Sequence, residues 1–227
     1  YLSTVGTKAE TDLLQQYIPI AEMRSLTLPD GTKVQLNSKS TLLYPHEFTG
    51  DSRSVFLLGE ANFKVKPDKK RPFIVKSNDL QITALGTEFN VSAYPESQEI
   101  ATTLISGSIR VAYNNLTTSV ILHPNEQFAY NRNNKKYDLS NPDMDDVTAW
   151  QRGELVLQKM TLTDIINVLE RKYPYAFVYS IKNLKNDRFS FRFKDNAPLE
   201  EVMEIIVNVV GQMDYRIVED KCYLTRI

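Results

Sequence analysis

Four times the chain runs from a glycine into a pair of apolar residues set two apart: Gly31 with Val34 and Leu36, Gly59 with Phe63 and Val65, Gly86 with Phe89 and Val91, and Gly107 with Ile109 and Val111. Glycine tolerates the positive φ of a tight turn, and residues two apart in a strand point to one face of the sheet. The pattern therefore prescribes a turn, a strand and one buried face, repeatedly. The glycines are 28, 27 and 21 residues apart. That interval suits stacked coils of a β-solenoid-like layer or successive strand pairs of a sandwich, and the regular recurrence favours stacking. Short alternating runs bounded by Gly, Pro, Asn and Asp carry the β-rich character from Ile18 to about Leu139. Phe56, Phe63, Phe73 and Phe89 read as core filling rather than a ligand platform. Tyr44, Tyr94 and Tyr113 each carry a phenol that a surface can also hold.

Residues 1–17 are polar with little periodicity and read as a leader or linker, with a helical turn around Glu10 to Gln16. At the other end of the β-rich stretch, Asn141 to Glu154 is acidic and irregular, and beyond it the period changes from two to that of a helix. Two domains are expected, a β-rich one over 18–140 and a small α+β one over 153–227, joined by a linker at 141–152. Trp150, the only tryptophan, reads as a plug at the seam between them. In the second domain GELVLQ is a strand. MTLTDIINVLERKY is a helix with Leu162, Ile165, Ile166 and Leu169 on one face, Thr161 as its cap and Asp164 in its first turn. AFVYS and RFSFRF follow as strands. A second helix begins near Pro198, carries Glu200 and Glu201 in its first turn, buries Leu199, Val202, Met203 and Ile206, and stops before Gly211. DYRIVE and KCYLTRI complete a β-α-β-β-α-β-β order, with helices on one face of a sheet.

The chemistry that would make an enzyme is thin. Lys plus Arg number 27 against 28 Asp plus Glu, a net charge of -1 that supplies no field to gather nucleic acid or an anionic membrane. The apolar stretch Ile205 to Val210, interrupted by Asn208, is far shorter than the roughly 20 residues that span a bilayer. His46 and His123 lie in separate turn-like segments, and with the single Cys222 they do not make a zinc ligand set. No nucleophile elbow, phosphate loop, dinucleotide fingerprint or zincin helix is present. Ser106, Gly107 and Ser108 make a turn. Glu60 and Glu88 would meet if coils stack, and paired carboxylates can do acid–base work. The basic run KPDKKRPF, Lys66 to Phe73, reads first as a solvated loop and second as a partner contact.

The segments LPDGTKVQLNSKSTLLYP, FTGDSRSVFLLGEANFKV, RPFIVKSNDLQITALGTEFNVSAYPE, TTLISGSIRV and LHPNEQFAY, in this order, resemble the extracytoplasmic region of FecR-like anti-sigma factors. The likeness runs from about Met23 to the end. AWQRGELVLQKMTLTDIINVLERKY and RFSFRF resemble the C-terminal domain common in the Bacteroidetes branch, similar in layout to the secretin and TonB-receptor N-terminal module. The resemblance implies a single-pass inner-membrane regulator. Its cytosolic segment would hold an extracytoplasmic-function sigma factor, and its periplasmic part would contact the N-terminal signalling domain of an outer-membrane TonB-dependent transporter. The start at Tyr1 rather than Met is expected of a processed piece lacking the sigma-binding segment and membrane helix.

The resemblance also implies that the motif residues are structural, with Asp30, Gly31, Gly59, Gly86 and Gly107 in turns. LPDG becomes a turn in which Asp30 binds backbone amides. It implies no catalytic residue, cofactor or metal. Partner binding is expected at exposed sheet edges of the C-terminal unit, at Tyr215, Ile217, Tyr223 and Thr225, with Trp150 and the seam as a second surface. The rival from another class is a carbohydrate-binding or carbohydrate-cleaving β-solenoid of the cell envelope. That reading requires a surface row of aromatics beside a groove with two carboxylates.

Overall fold

A computed structural model of the protein describes residues 12–180, 187–194 and 197–227. Thirteen strands precede the first helix: β1 Leu13–Tyr17, β2 Arg24–Thr27, β3 Lys33–Leu36, β4 Thr41–Pro45, β5 Arg53–Lys64, β6 Phe73–Lys76, β7 Gln81–Ala84, β8 Glu88–Ala93, β9 Glu99–Ser106, β10 Ile109–Tyr113, β11 Thr118–Leu122, β12 Gln127–Asn131 and β13 Lys136–Ser140. They form a sheet that curls over its own core, sandwich-like, because β5 belongs to both halves. One half runs β1-β4-β5-β6-β7-β10-β11 and the other β2-β3-β5-β8-β9-β12-β13. Solenoid coils would pair parallel from one coil to the next, whereas every ladder among these thirteen strands is antiparallel except β5 with β6. Gly31 marks the antiparallel turn between β2 and β3, and Gly86 and Gly107 mark crossings from one half of the sheet to the other, so the sandwich-like arrangement is the one that forms.

The expected core is present with one exception. Phe63, Phe73 and Phe89 are fully buried, with Phe63 stacked on Phe89 at 5.4 Å and tilted against Phe73 at 6.0 Å. Phe56 points out. β5 alternates strictly from Val55 through Leu57 to Ala61 as its inward set, and Phe56 has the opposite parity. Tyr94 and Tyr113 are buried and Tyr44 is partly so. Leu13–Tyr17 is an edge strand paired with Thr41–Pro45 rather than a helical turn; the remainder of the expected leader, 1–11, lies outside the described residues.

Gly31, Gly86 and Gly107 carry φ of 88°, 150° and 93° in connections between strands. Gly59 differs, for it lies inside β5 with φ 103°. Arg53–Phe56 pair with β6 on one side of it and Gly59–Lys64 pair with β8 on the other. It is the bend at which the strand leaves one half of the sheet for the other. A Cβ there would stand 2.7 Å from the Ser40 Cα and 2.4 Å from its Oγ. The space is taken because Ser40 Oγ accepts from the Glu60 N–H at 2.8 Å.

Beneath the first repeat sits a buried ion pair. Arg53, 1% exposed, donates from Nη1 to Asp30 Oδ2 at 2.7 Å and to the Lys66 carbonyl at 2.8 Å, and from Nε to the Arg71 carbonyl at 2.9 Å. Asp30 accepts in addition from the Thr32 N–H and Oγ1 at 2.9 and 2.7 Å. The basic loop is thus tied down by its backbone, and Arg71 is paired with Asp68 at 3.0 Å.

After β13 come α1 Met144–Thr148, capped by Asp143, and a 3-10 turn Ala149–Arg152, followed by β14 Leu155–Thr161, α2 Leu162–Lys172, β15 Ala176–Val178, β16 Arg188–Phe193, α3 Leu199–Val210, β17 Met213–Val218 and β18 Lys221–Arg226. The stripe Leu162, Ile165, Ile166 and Leu169 is buried, as are Leu199, Val202, Met203 and Ile206. Thr161 Oγ1 accepts from the Asp164 N–H at 3.2 Å. The strands make two small sheets rather than one, β14-β16 and β15-β18-β17, and α2 packs on a strand from each. A second apolar cluster includes both stripes with Leu157, Phe177, Cys222 and Leu224.

Two substitutions test this account by urea unfolding. Asp30→Asn leaves a buried guanidinium without its carboxylate and is expected to cost about 3–5 kcal/mol. Gly59→Ala is expected to cost on the order of 3 kcal/mol from backbone strain and the Ser40 clash. Gly50→Ala, with open space around it, is expected to stay within about 0.5 kcal/mol of the parent.

Candidate functional site

The outward face of one half-sheet does not meet solvent where α1, the 3-10 turn and α2 cover it. Its exposed-parity positions are polar: Asn37 after β3, Glu60 on β5, Asn90 and Ser92 on β8, Thr103 on β9 and Gln127 on β12. Opposite them stand Trp150, Leu155, Val156, Met160 and Val168, and between the two walls is a cavity of ≈ 270 Å³.

Glu60 lies at the floor of this cavity. Asn37 Nδ2 donates to its Oε2 at 2.8 Å and Asn90 Nδ2 to its Oε1 at 3.0 Å. Burial raises its carboxyl above the ordinary carboxylate range, while the two asparagine amides and the Arg171 charge pull the other way. Asn90 is oriented from behind as well, since its Oδ1 accepts from Trp150 Nε1 at 3.2 Å. The tryptophan is thus fixed to the sheet by a hydrogen bond.

Arg171, in the last turn of α2, is the second anchor. It is 8% exposed, donates from Nη1 to Glu96 Oε1 at 2.6 Å and stacks over the Tyr94 ring at 3.8 Å. Its carbonyl accepts from the Ala21 N–H at 3.0 Å. The Tyr94 hydroxyl donates to the Ser38 carbonyl at 2.9 Å, and burial raises that phenol's pKa. Lys172 Nζ donates to the Gly153 carbonyl. On the rim, Arg192 of β16 pairs with Asp145, Asp146 and Glu154, and Arg152 with Asp145 and Glu154. This network fastens the acidic segment to the C-terminal part.

The other expected surface is placed differently from residue to residue. β17 is an edge strand, but β18 is the centre of its sheet: Tyr223 registers with Arg216 on one side and Val178 on the other, so its backbone offers no edge. Thr225 lies beyond the β15 ladder and is exposed. Tyr215 and Ile217 are half-buried, and the Tyr215 hydroxyl donates to the Glu200 carbonyl at 3.0 Å. The Tyr215 amide bonds to its neighbour Asp214 Oδ1 at 2.8 Å. That amide faces the open side of the sheet.

Glu60 and Glu88 do not converge. Glu60 registers with Ser92, and Glu88 with Lys64 four residues further along the strand, about 13 Å away at ~3.3 Å per residue. Glu88 instead pairs with Lys64 at 3.6 Å. His46 and His123 are exposed, and the described residues hold no group of three or more His, Cys, Asp or Glu suited to a metal. Asn90 and Arg171 were not singled out by the sequence, and Glu60 only as a partner of Glu88. The available signal was a run of Asn, Gln, Thr and Ser at outward positions of adjacent strands.

Residues 18–110 match the family model described as FecR protein, and residues 154–224 match that of the FecR C-terminal region. Two crystal structures of a protein from Parabacteroides distasonis ATCC 8503, classed as an anti-sigma factor, superpose with a TM-score of 0.88 each at 34% identity. They cover 94% and 95% of this chain and 99% of their own. Curated proteins give no significant match. Two successive family matches and a relative of this identity along nearly the full fold make the assignment plain: the chain belongs to the FecR-like anti-sigma factors.

Proposed function

We propose that the protein is the periplasmic sensor part of a single-pass inner-membrane anti-sigma factor. It relays the state of an outer-membrane TonB-dependent transporter to an extracytoplasmic-function sigma factor by protein–protein binding, with no catalysis of its own. Family membership supports a regulatory sensor. The transporter partner, the membrane anchor and the division into an 18–140 and a 153–227 domain belong to this proposal. The observation that favours a protein partner is the open edge of β17, whose outward backbone groups are laddered to no other strand among the described residues and can receive one from another chain.

A continuous route leads inward from that edge. β17 is laddered to β18 and β18 to β15. The Phe177 N–H of β15 donates to Glu170 Oε1 at 3.1 Å, and the next residue along α2 is Arg171, which grips Glu96 and Tyr94. Strand addition at β17 would thereby act on the seam, and relay requires that the seam have two arrangements.

Calorimetry against the N-terminal signalling domain of the cognate transporter, paired with hydrogen exchange, tests the proposal. One-to-one binding is expected, with slowed exchange at the outward amides of Tyr215 and Ile217 and altered exchange near Ala21 and Trp150. Binding without protection of β17 would remove the edge as the contact. No binding between two folded proteins would remove the transporter.

A further inference from the structure

We propose that the cavity at the seam is a binding site for a small, neutral, polyhydroxylated ring, the size of one monosaccharide unit. This inference stands on the cavity alone and does not need the transporter reading.

The argument begins with hydrogen-bonding capacity left over. Glu60 accepts one bond on each oxygen, so a carboxylate, with roughly four acceptor sites, has two to spare. Arg171 uses Nη1 on Glu96; Nε and Nη2 have no protein partner among the described residues, and neither is sealed from solvent. Thr103 Oγ1 donates to Gln127 Oε1 at 2.8 Å. That bond fixes the Gln127 amide and leaves its two N–H groups without a protein partner. The Ser92 hydroxyl also lines the cavity with no partner. Donors and acceptors thus reach a sheltered space from the sheet and from α2, and groups of this kind are costly to leave unmatched by a ligand or water.

The charges decide the class. The Arg171 charge is neutralised by Glu96 at 2.6 Å, so its remaining N–H groups can donate without demanding an anion. Asp146 and Glu154, the acids at the rim, are held by Arg192, Glu22 pairs with Arg24 at 3.6 Å, and Lys172 Nζ donates to the Gly153 carbonyl. Glu60 alone does not make a cation trap, since two amides already satisfy it in part. What remains is a set of neutral or neutralised partners, which suits hydroxyls.

The opposite wall decides the shape. Trp150, Leu155, Val156, Met160 and Val168 offer apolar surface, and a sugar ring carries hydroxyls on its edge and C–H groups on its faces. The volume of ≈ 270 Å³ lies just under the ~300–1,000 Å³ of drug-sized sites. It fits one ring and not an oligomer.

The test is titration of the full chain with free glucose, galactose, mannose and N-acetylglucosamine and with their methyl glycosides, against glycine and inorganic phosphate as charged controls. Saturable binding of at least one neutral sugar is expected, with Kd about 1 mM or tighter. A preference for the methyl glycoside would point to the terminal unit of a glycan as the source, and the reverse to free sugar. Ser92→Ala and Gln127→Ala, neither of which breaks the Arg171 or Trp150 anchors, are each expected to weaken binding by about fivefold or more. Glu60→Gln is expected to weaken it further, and His46→Ala to leave it unchanged. Failure of every sugar to bind the folded protein would overturn the proposal. Binding of only glycine or phosphate would overturn it too, as would sugar binding that Ser92→Ala and Gln127→Ala leave untouched.

Discussion

A single guanidinium determines how the β-rich part closes. Arg53 stands at the start of the strand shared by both halves of the sheet, and it is buried where water cannot serve its charge. Moving such a group out of water costs several kcal/mol unless its N–H groups are met. Here they are met by the Asp30 carboxylate and by the carbonyls of Lys66 and Arg71, with the Phe73 ring 5.5 Å away; Nη2 remains without a partner. The LPDG turn, the basic loop and the first residues of β5 and β6 are consequently fixed around one point. What reads in sequence as a cationic loop is used for its carbonyls, and what reads as a turn aspartate is also a counter-ion.

Much of this was legible in the sequence, and the parts that were not share a cause. The helix stripes around Ile165 and Met203 and the Thr161 cap follow from local periodicity and local hydrogen bonding, which a linear pattern records. Gly59 was legible as a residue needing positive φ but not as a bend, because a glycine between strands and a glycine within one long strand leave the same mark. Phe56 went to the wrong face because parity is set by the ladder with β4 and β6 and not by residue type. Leu13–Tyr17 has little apolar alternation of its own and is a strand only because β4 offers an edge.

The candidate sites divide in the same way. Trp150 drew attention because a lone large aromatic in an acidic connection has few uses in solvent, and it lines the cavity against Asn90. Arg171 was not, since a basic residue in the last turn of a helix is ordinarily a solvated complement to the helix dipole; only the arrival of Glu96 and Tyr94, 75 and 77 positions earlier in the chain, buries it. The mistaken edge at Tyr223 has a similar origin. The order β15-β18-β17 places the last strand in the middle of its sheet, and nothing local to KCYLTRI says so.

The sharing of β5 between the halves has a mechanical meaning. A twelve-residue strand hydrogen-bonded into both, and pinned at its bend by Ser40, makes the two halves one stiff body with no shear plane between them. The joint to the C-terminal part is made mainly by side chains, an arginine, a tryptophan and a rim of exposed ion pairs, beside a backbone bond from Ala21 to Arg171. Displacement imposed at either end would therefore concentrate at that joint, as strain does where a stiff beam meets a soft mounting, and the sheet would swing as a lever instead of deforming.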